Sequence, residues 1–449
     1  MSAISSSAHF KEVALRPTPP RPAAHPEQGL GPSWDAAALR KLVDTGLHGA
    51  QLMVVSNRQP HSHVWRAGAI HVEQSPGGLV TAMEPMVRAC GGTWIAHGSG
   101  SADRCVVDRA QRWTSTADIG SYQLRRVWLS AAQQRGHGDG LSNAGLWPAC
   151  HWTPVSPVFR ASDWGHYVDV NQRFADAVLH EARRPDPVVL VQDYQLALVP
   201  ALVRQKMPQA TIVSFWHIPW THYGQMRQCP WLAQVVEGLL GSDIVGFQTA
   251  LHAAHFRATA RAVGVSGTSA LESAVRVYPI SIAWPRQREA RCAMACTREA
   301  ERARWRVPAD GKLVVGVDRL DPTKGLIERM LAFEALLQAH PAWHGQLRFV
   351  QVAAPTRRAV AGYAALHRAL RREVKRINAR FATLSWEPIT LLDQAQDRES
   401  VTALYRASDV CLVTSLHDGM NLVSKEFVDR KSTRLNSSHS TLSRMPSSA

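Results

Sequence analysis

Eight short apolar runs, Leu52–Ser56, Val188–Val191, Thr211–Phe215, Asp243–Phe247, Val275–Ile280, Leu313–Val317, Leu347–Val352 and Asp409–Thr414, alternate along this chain with stretches of helical periodicity. Parallel neighbours cannot be joined by a tight turn. The succession of strand, helix and strand therefore predicts an α/β chain whose parallel sheets are covered by crossover helices. With 449 residues the chain holds about two domains of ordinary size. The low-periodicity stretch Ala283–Cys292 reads as the hinge between them, and no internal repeat stands out.

Composition excludes several classes. No run approaches about 18 apolar residues and the chain does not open on an apolar leader core, so neither a membrane span nor secretion is expected. Seven cysteines, odd in number and scattered, show no paired metal-ligand spacing and fit a reduced compartment, with the cytoplasm as the expectation. The formal charge of +15 invites a nucleic-acid partner. Yet the basic residues spread along helical stretches such as Arg257–Arg261 and Arg368–Arg380 without interleaved aromatics, so a solvated surface is the reading and no nucleic acid is expected. Residues 1–45, with a Pro-rich patch from Pro17 to Pro26, read as a disordered extension.

Three strand-to-helix junctions carry chemistry. The segment from Asp418 through Gly419, Met420, Asn421, Leu422 and Val423 to Glu426 follows the run Val410 to Thr414 and opens a helix. Its turn would present free backbone N–H groups and the positive end of a helix dipole at the carboxyl end of a strand, where an anionic or hydroxyl-rich ligand binds. Asp418 would sit in the turn, with Glu426 two helical turns on reaching back toward a sugar hydroxyl. The second junction, Val314 to Gly325, ends in a loop with Arg319 and Lys324 five positions apart, and two cations there suit a pyrophosphate. In the third, the strand ending in Ser56-Asn57-Arg58 is followed by Ser75-Pro76-Gly77-Gly78-Leu79, whose glycines allow close backbone approach to a ligand.

Together these segments resemble the trehalose-6-phosphate synthase family of retaining glycosyltransferases, glycosyltransferase family 20, from about Leu52 to Asp429. Further motifs stand in the family's order: Ser142-Asn143-Ala144-Gly145-Leu146-Trp147-Pro148, Val191-Gln192-Asp193-Tyr194, Phe215-Trp216-His217-Ile218-Pro219, Ile244 to Thr249, Val277 to Ile280 and Ala354-Pro355-Thr356-Arg357. The resemblance implies two Rossmann-like domains with mostly parallel sheets, the arrangement called GT-B, with the active site in the cleft between them. An acceptor-binding domain over 46–285 and a nucleotide-sugar-binding domain over 286–430 are expected. The family's second domain continues past the Glu426 helix, so an incomplete one is expected here. Lys431–Ala449, Ser-rich and without an acidic residue, resembles translated adapter read-through and is expected to be a non-native tail matching nothing in the family.

The implied reaction moves glucose from a nucleotide diphosphate glucose, UDP-glucose being expected, to glucose 6-phosphate, giving α,α-trehalose 6-phosphate with retention. No cofactor and no metal are implied. Arg319 and Lys324 would stabilise the leaving pyrophosphate, the electrostatic task a divalent ion performs elsewhere. Asp418 and the amides of Gly419, Met420 and Asn421 would hold the donor sugar, with Leu422 and Val423 beside them, Glu426 on the ribose, and Gly77 and Gly78 against the phosphates. His217 would contact the donor sugar near the reacting centre. Asp193 would orient an acceptor hydroxyl, unless it caps the helix beginning near Leu196. The acceptor phosphate is implied on Arg58, Trp147 and Arg357, with Arg358 a near alternative and Trp147 equally a core residue.

Departures from the family pattern bear on the acceptor. Where the family has a tyrosine-rich stretch before Ser142, this chain reads Gly136-His137-Gly138-Asp139-Gly140. The hydroxyl that holds the acceptor phosphate is gone, and His137 is the candidate replacement, charging near about pH 6.5. Thr221-His222-Tyr223-Gly224 stands for the usual Pro-x-Pro-Glu and Gln195 for a histidine. Two alternatives follow, a glucosylglycerol-phosphate synthase-like transferase with another phosphorylated acceptor, and a non-catalytic sugar-phosphate-binding homologue. The nucleotide base is not legible, and a homo-oligomer stays open.

Overall fold

The computed structural model describes residues 36–75, 78–117, 120–151, 155–265, 268–282, 295–356 and 361–430. They separate into two compact units, one running to Ile280 and taking in His417–Met420, the other running from Ser281 to Leu416 and resuming at Asn421. Residues 1–35, the expected hinge Ala283–Cys292 and the expected tail Lys431–Ala449 lie outside the described residues.

The first unit contains strands β1 (Leu52–Arg58), β2 (His61–Arg66), β3 (Ala69–Gln74), β4 (Thr93–His97), β5 (Arg112–Ala117), β6 (Gly120–Val127), β7 (Val188–Gln192), β8 (Thr211–Trp216), β9 (Ile244–Phe247) and β10 (Val275–Val277). Eight of them form one sheet in the order β10-β9-β8-β7-β1-β4-β6-β5, parallel except for the β5–β6 pair at one edge. The hairpin β2–β3 stands apart. Residues of β1 alternate faces, as a period of two requires. Met53 and Val55 pack with Phe174 and Val178 of helix Ala161–Glu181, while Val54 packs with Trp94, Tyr122 and Leu124. Helices on both faces explain why the run is apolar throughout.

The second unit contains β11 (Lys312–Arg319), β12 (Leu347–Ala354), β13 (Ile389–Leu392) and β14 (Val410–Cys411), all parallel, in the order β13-β12-β11-β14. Met330, Phe333 and Leu337 of helix Leu326–Ala339 cover one face with Leu370, Val374 and Ile377 of helix Ala361–Phe381. Leu404 and Tyr405 of helix Arg398–Ala407 cover the other with Phe427.

Several expectations are corrected. The hairpin and β4, β5, β6 and β13 were not foreseen, because they are short or carry charged residues inward. Arg126 on β6 is fully buried, paired with Asp103 at 3.0 Å and donating to Gln59 Oε1 at 3.1 Å. The run 409–414 pairs only at Val410–Cys411, because β14 is outermost and Val413 turns to solvent, although Leu412 N still donates to Val315 O at 2.8 Å. The β10 ladder stops at Val277 rather than Ile280, whose N–H goes to Gln248 Oε1 at 2.8 Å. The expected disorder does not reach residue 45. Helix Ala36–Lys41 is anchored by Arg40 Nε donating to Ala89 O at 3.0 Å.

The basic helices are internally compensated at several points. Arg257 and Arg261 pair with Glu272, and Arg376 and Arg380 with Glu334. No described helix is long and apolar enough to cross a membrane.

Glycine decides one helix crossing in the first unit. A Cβ on Gly238, in helix Leu232–Leu240, would stand 2.5 Å from Ala197 O and 2.9 Å from Leu198 Cα. Alanine gains about 1 kcal/mol in helix propensity, yet overpacking against backbone costs roughly 1–3 kcal/mol. Gly238→Ala should therefore lower the urea midpoint without changing the m-value, and an unchanged or raised midpoint would show that the two elements can move apart freely.

Candidate active site

In the second unit, β11 ends on Arg319, and the chain turns through a single 3₁₀ turn, Pro322–Lys324, into helix Leu326–Ala339. Asp321, fully buried, organises this turn. Its Oδ1 accepts from Thr323 N (3.1 Å) and Thr323 Oγ1 (2.9 Å), and its Oδ2 accepts from Tyr363 Oη (3.4 Å) and lies 4.0 Å from Arg319 Nη2. Lys324 is 9% exposed, whereas the Arg319 side chain is 41% exposed. Gly325, at φ 59°, takes a left-handed conformation, and a Cβ there would strike Thr414 O.

The loop after β14 lies against this turn, with Leu416 N donating to Thr323 O at 2.8 Å. Asn421 caps helix Leu422–Arg430 by accepting from Ser424 N at 3.2 Å. Leu422 and Val423 form its first turn, and Glu426 Oε2 accepts from Tyr405 Oη at 3.4 Å. Asp418, Gly419 and Met420 group with the first unit, where the His417 ring meets those of His151 and His252 edge-on at 5.9 and 6.0 Å. Gly419 admits no side chain, because a Cβ would fall on the His217 carbonyl oxygen.

In the first unit, Arg58 projects from the end of β1 past an irregularity at Asn57, and its carbonyl accepts from Ser56 Oγ at 2.7 Å. Gly78 begins helix Gly78–Ala89. Asp193 follows β7 at φ 72°, a conformation rare outside glycine. Its side chain makes no helix cap. Oδ1 instead accepts from His217 N at 3.1 Å, tying the ends of β7 and β8 together. His217 Nε2 donates to Gln192 Oε1 at 2.9 Å, which assigns the ring tautomer. Burial holds its pKa below the ordinary value, against the pull of Asp193.

The structure bears on two acceptor-side expectations and changes the one for His137. His137 is 1% exposed, its Nε2 donates to Gln195 O at 2.9 Å, and its ring stacks on Tyr167. Burial pushes its pKa down to about 4. It is a neutral core residue at pH 6.5, not a cationic stand-in for the tyrosine. Trp147 is 7% exposed, stacked on His151 at 4.0 Å between ring centroids, and belongs to the large aromatic core. Gly77, Arg357 and Arg358 lie outside the described residues.

Sequence reasoning missed the groups that hold these loops. Tyr167 Oη donates to Tyr194 O (2.6 Å) and accepts from Ala197 N (3.1 Å). Asn171 donates to Gln195 O (3.1 Å) and accepts from Leu198 N (3.0 Å), so one helix grips the turn after Asp193. The available signal was their spacing, four apart on the buried face of a helix. Asp321 and Arg329 are the equivalents in the second unit.

Comparison with known proteins identifies the family. Residues 50–443 match the model of glycosyltransferase family 20, so the match runs past Asp429 into the segment expected to match nothing. The chain is 37% identical over 397 residues to the trehalose-6-phosphate synthase of Mycolicibacterium vanbaalenii, covering 85% of this chain and 80% of the relative. It is 38% identical over 396 residues to that of Mycobacterium avium, covering 84% and 79%. Among solved structures, the E. coli enzyme bound with UDP-2-fluoro glucose aligns with a TM-score of 0.72 at 28% identity, covering 85% of this chain and 82% of that one. The α,α-trehalose-phosphate synthase of Burkholderia xenovorans in complex with glucose-6-phosphate aligns with a TM-score of 0.71 at 29% identity and the same coverage. The fold is GT-B, of two Rossmann-like units.

Buried histidines set an acid limit on stability. His97, His137 and His252 are each pushed down to about 4 by burial. The unfolded chain takes up these protons near about pH 6.5 and the folded chain only near 4, so stability is complete above 6.5 and falls as pH drops toward 4. His137→Gln keeps a donor toward Gln195 O and removes one titration. It should make the decline of the unfolding free energy, measured by urea titration, shallower over that window, by at most about 1.4 kcal/mol per pH unit. Identical slopes for the two proteins would overturn the neutral assignment.

Proposed function

Since this chain belongs to glycosyltransferase family 20, we propose that it transfers glucose from UDP-glucose to glucose 6-phosphate, forming α,α-trehalose 6-phosphate with retention. The reading is supported by relatives that are trehalose-6-phosphate synthases and by neighbours solved with a UDP-glucose analogue and with glucose-6-phosphate. The observation that carries it for this chain is the Asp321-organised turn, which holds Arg319 and Lys324 at the end of one strand. We place the reaction in the cytoplasm, where nucleotide sugars and sugar phosphates are made.

Departure of UDP builds negative charge on the β-phosphate. Fixed cations stabilise that charge most when they need no reorganisation, which suits a nearly buried Lys324 beside Arg319. Asp418 and the amides of Gly419, Met420 and Asn421 hold the sugar hydroxyls on this reading, beside Leu422 and Val423. Glu426 takes the ribose and Gly77 and Gly78 approach the phosphates. Asp193 orients the acceptor hydroxyl, and the neutral His217, fixed by Gln192, contacts the donor sugar. Arg58 and Arg357 take the acceptor phosphate, with Trp147 as a rigid wall. Arginine offers paired donors that match phosphate geometry.

A second reading, another phosphorylated acceptor such as glycerol 3-phosphate, is favoured by one observation: neither a tyrosine nor a charged His137 serves the phosphate. Product analysis with UDP-glucose and each acceptor separates the two.

Arg319→Ala and Lys324→Ala should each lower turnover by about 10²–10³ with the fold intact, because each cation acts on charge developed in the transition state. Transfer should persist in excess EDTA, since the cation pair performs the metal's electrostatic task. Undiminished turnover in either variant, or a loss in EDTA restored by magnesium, would overturn the assignment.

A further inference from the structure

We propose that Arg329 and Thr414 form a buried relay that sets the position of Lys324, making both of them positioning residues for the transfer. This rests on the donor reading above. Arg329 sits one turn into helix Leu326–Ala339, in an Ile-Glu-Arg-Met stretch that reads as surface, yet it is 1% exposed. Its Nη1 donates to Asp318 Oδ2 at 2.6 Å and to Gln351 Oε1 at 2.8 Å, and its Nε donates to Thr414 Oγ1 at 2.9 Å. Its Nη2 lies 3.5 Å from Lys324 O. The Thr414 hydroxyl in turn points its own proton at the carbonyls of Lys324 and Gly325, at 3.3 and 3.2 Å.

The surroundings are shaped for this guanidinium. Gly316 on β11 carries no Cβ, which would otherwise collide with Arg329 Nη1 and Gln351 Oε1. Asp318 neutralises the charge from within the same unit. A buried ion pair is seldom the most stable filling for a core, because desolvation offsets the Coulomb attraction. Its value here is geometric. Arg329 ties β11, β12 and the loop residue Thr414 beyond β14 to one another, and the chain of bonds terminates on the main chain of Lys324. A cation that stabilises a transition state must be held within a fraction of an ångström, and such precision comes from the groups behind it.

Thr414→Val removes the hydroxyl while keeping the shape, and Thr414→Ser restores it. Binding of UDP alone, measured by calorimetry, should weaken about three- to tenfold in Thr414→Val, the worth of one hydrogen bond. Turnover should fall more than KM for UDP-glucose rises, because Lys324 acts on developing charge. Thr414→Ser should recover both. In a Lys324→Ala background, Thr414→Val should add nothing, because the group being positioned is already absent. Equal losses in the Val and Ser variants, or an undiminished Val effect without the lysine, would overturn the relay. Normal UDP binding by the unaltered protein and by Thr414→Val would do the same while sparing the donor reading. Failure of the unaltered protein to bind UDP would overturn the donor reading and the relay with it. Should Thr414→Val not fold, Thr414→Ala set against Thr414→Ser makes the same comparison.

Discussion

In each unit the strand order reverses beside the first strand, and the placement of Arg58, Asp193, Arg319 and the loop leading to Glu426 follows from that reversal. β1 lies between β4 and β7, and β11 between β12 and β14. Connections leaving such neighbours depart to opposite sides, so the last backbone groups of the two strands are left uncovered at the carboxyl edge. Arg58 ends β1 and Asp193 follows β7, both beside the first reversal, while His217 follows the adjoining β8. Arg319 ends β11, and the loop leading to Glu426 follows β14, the two strands of the second reversal. Short polar loops at these points are a consequence of topology before they are a matter of chemistry.

A loop at an open edge has little apolar surface with which to fix itself, so it must be held from beneath by polar groups. Both units use the same device. In the first, Tyr167 and Asn171 reach from one helix to four backbone groups between Tyr194 and Leu198, which over-determines the left-handed Asp193. In the second, Asp321 holds the turn from within and Arg329 from below. Each buried polar group is costly alone and acceptable only with its partners in place, so rigidity and specificity arrive together.

How much of this was legible depends on whether a residue's environment is written near it in the chain. β1, β7, β8, β11 and β12 are runs of β-branched and apolar residues covered on both faces, and their sequence says so. β6 carries Arg125 and Arg126, and nothing local tells that Arg126 points inward to an aspartate on another segment. The loops with Arg319, Lys324, Asp193 and His217 were legible as strand ends, because each follows directly on an apolar β-branched run. Their supports were not. Arg329 looks like a surface residue until Asp318, Gln351 and Thr414 are brought to it, the last from 85 positions away. His137 failed for a related reason, since its charge state depends on burial that residue type does not reveal.

The glycine-rich stretch that departs from the family pattern belongs to the same packing solution. Residues Gln134–Leu146 wind as a wide π-type helix against helix Ala161–Glu181. A Cβ on Gly136 would run into the His166 ring, and one on Gly140 would come within 2.5 Å of the Asp163 carboxyl group. A side chain at either place would have to displace the His166 ring or the Asp163 carboxyl group on the facing helix. With glycines in place, His137 approaches closely enough to stack on Tyr167, 5.4 Å between ring centroids, and to share the Gln195 carbonyl with Asn171. Glycine at these two places thus leaves the His166 and Asp163 side chains where they stand, on the same helix as the two residues that grip the turn.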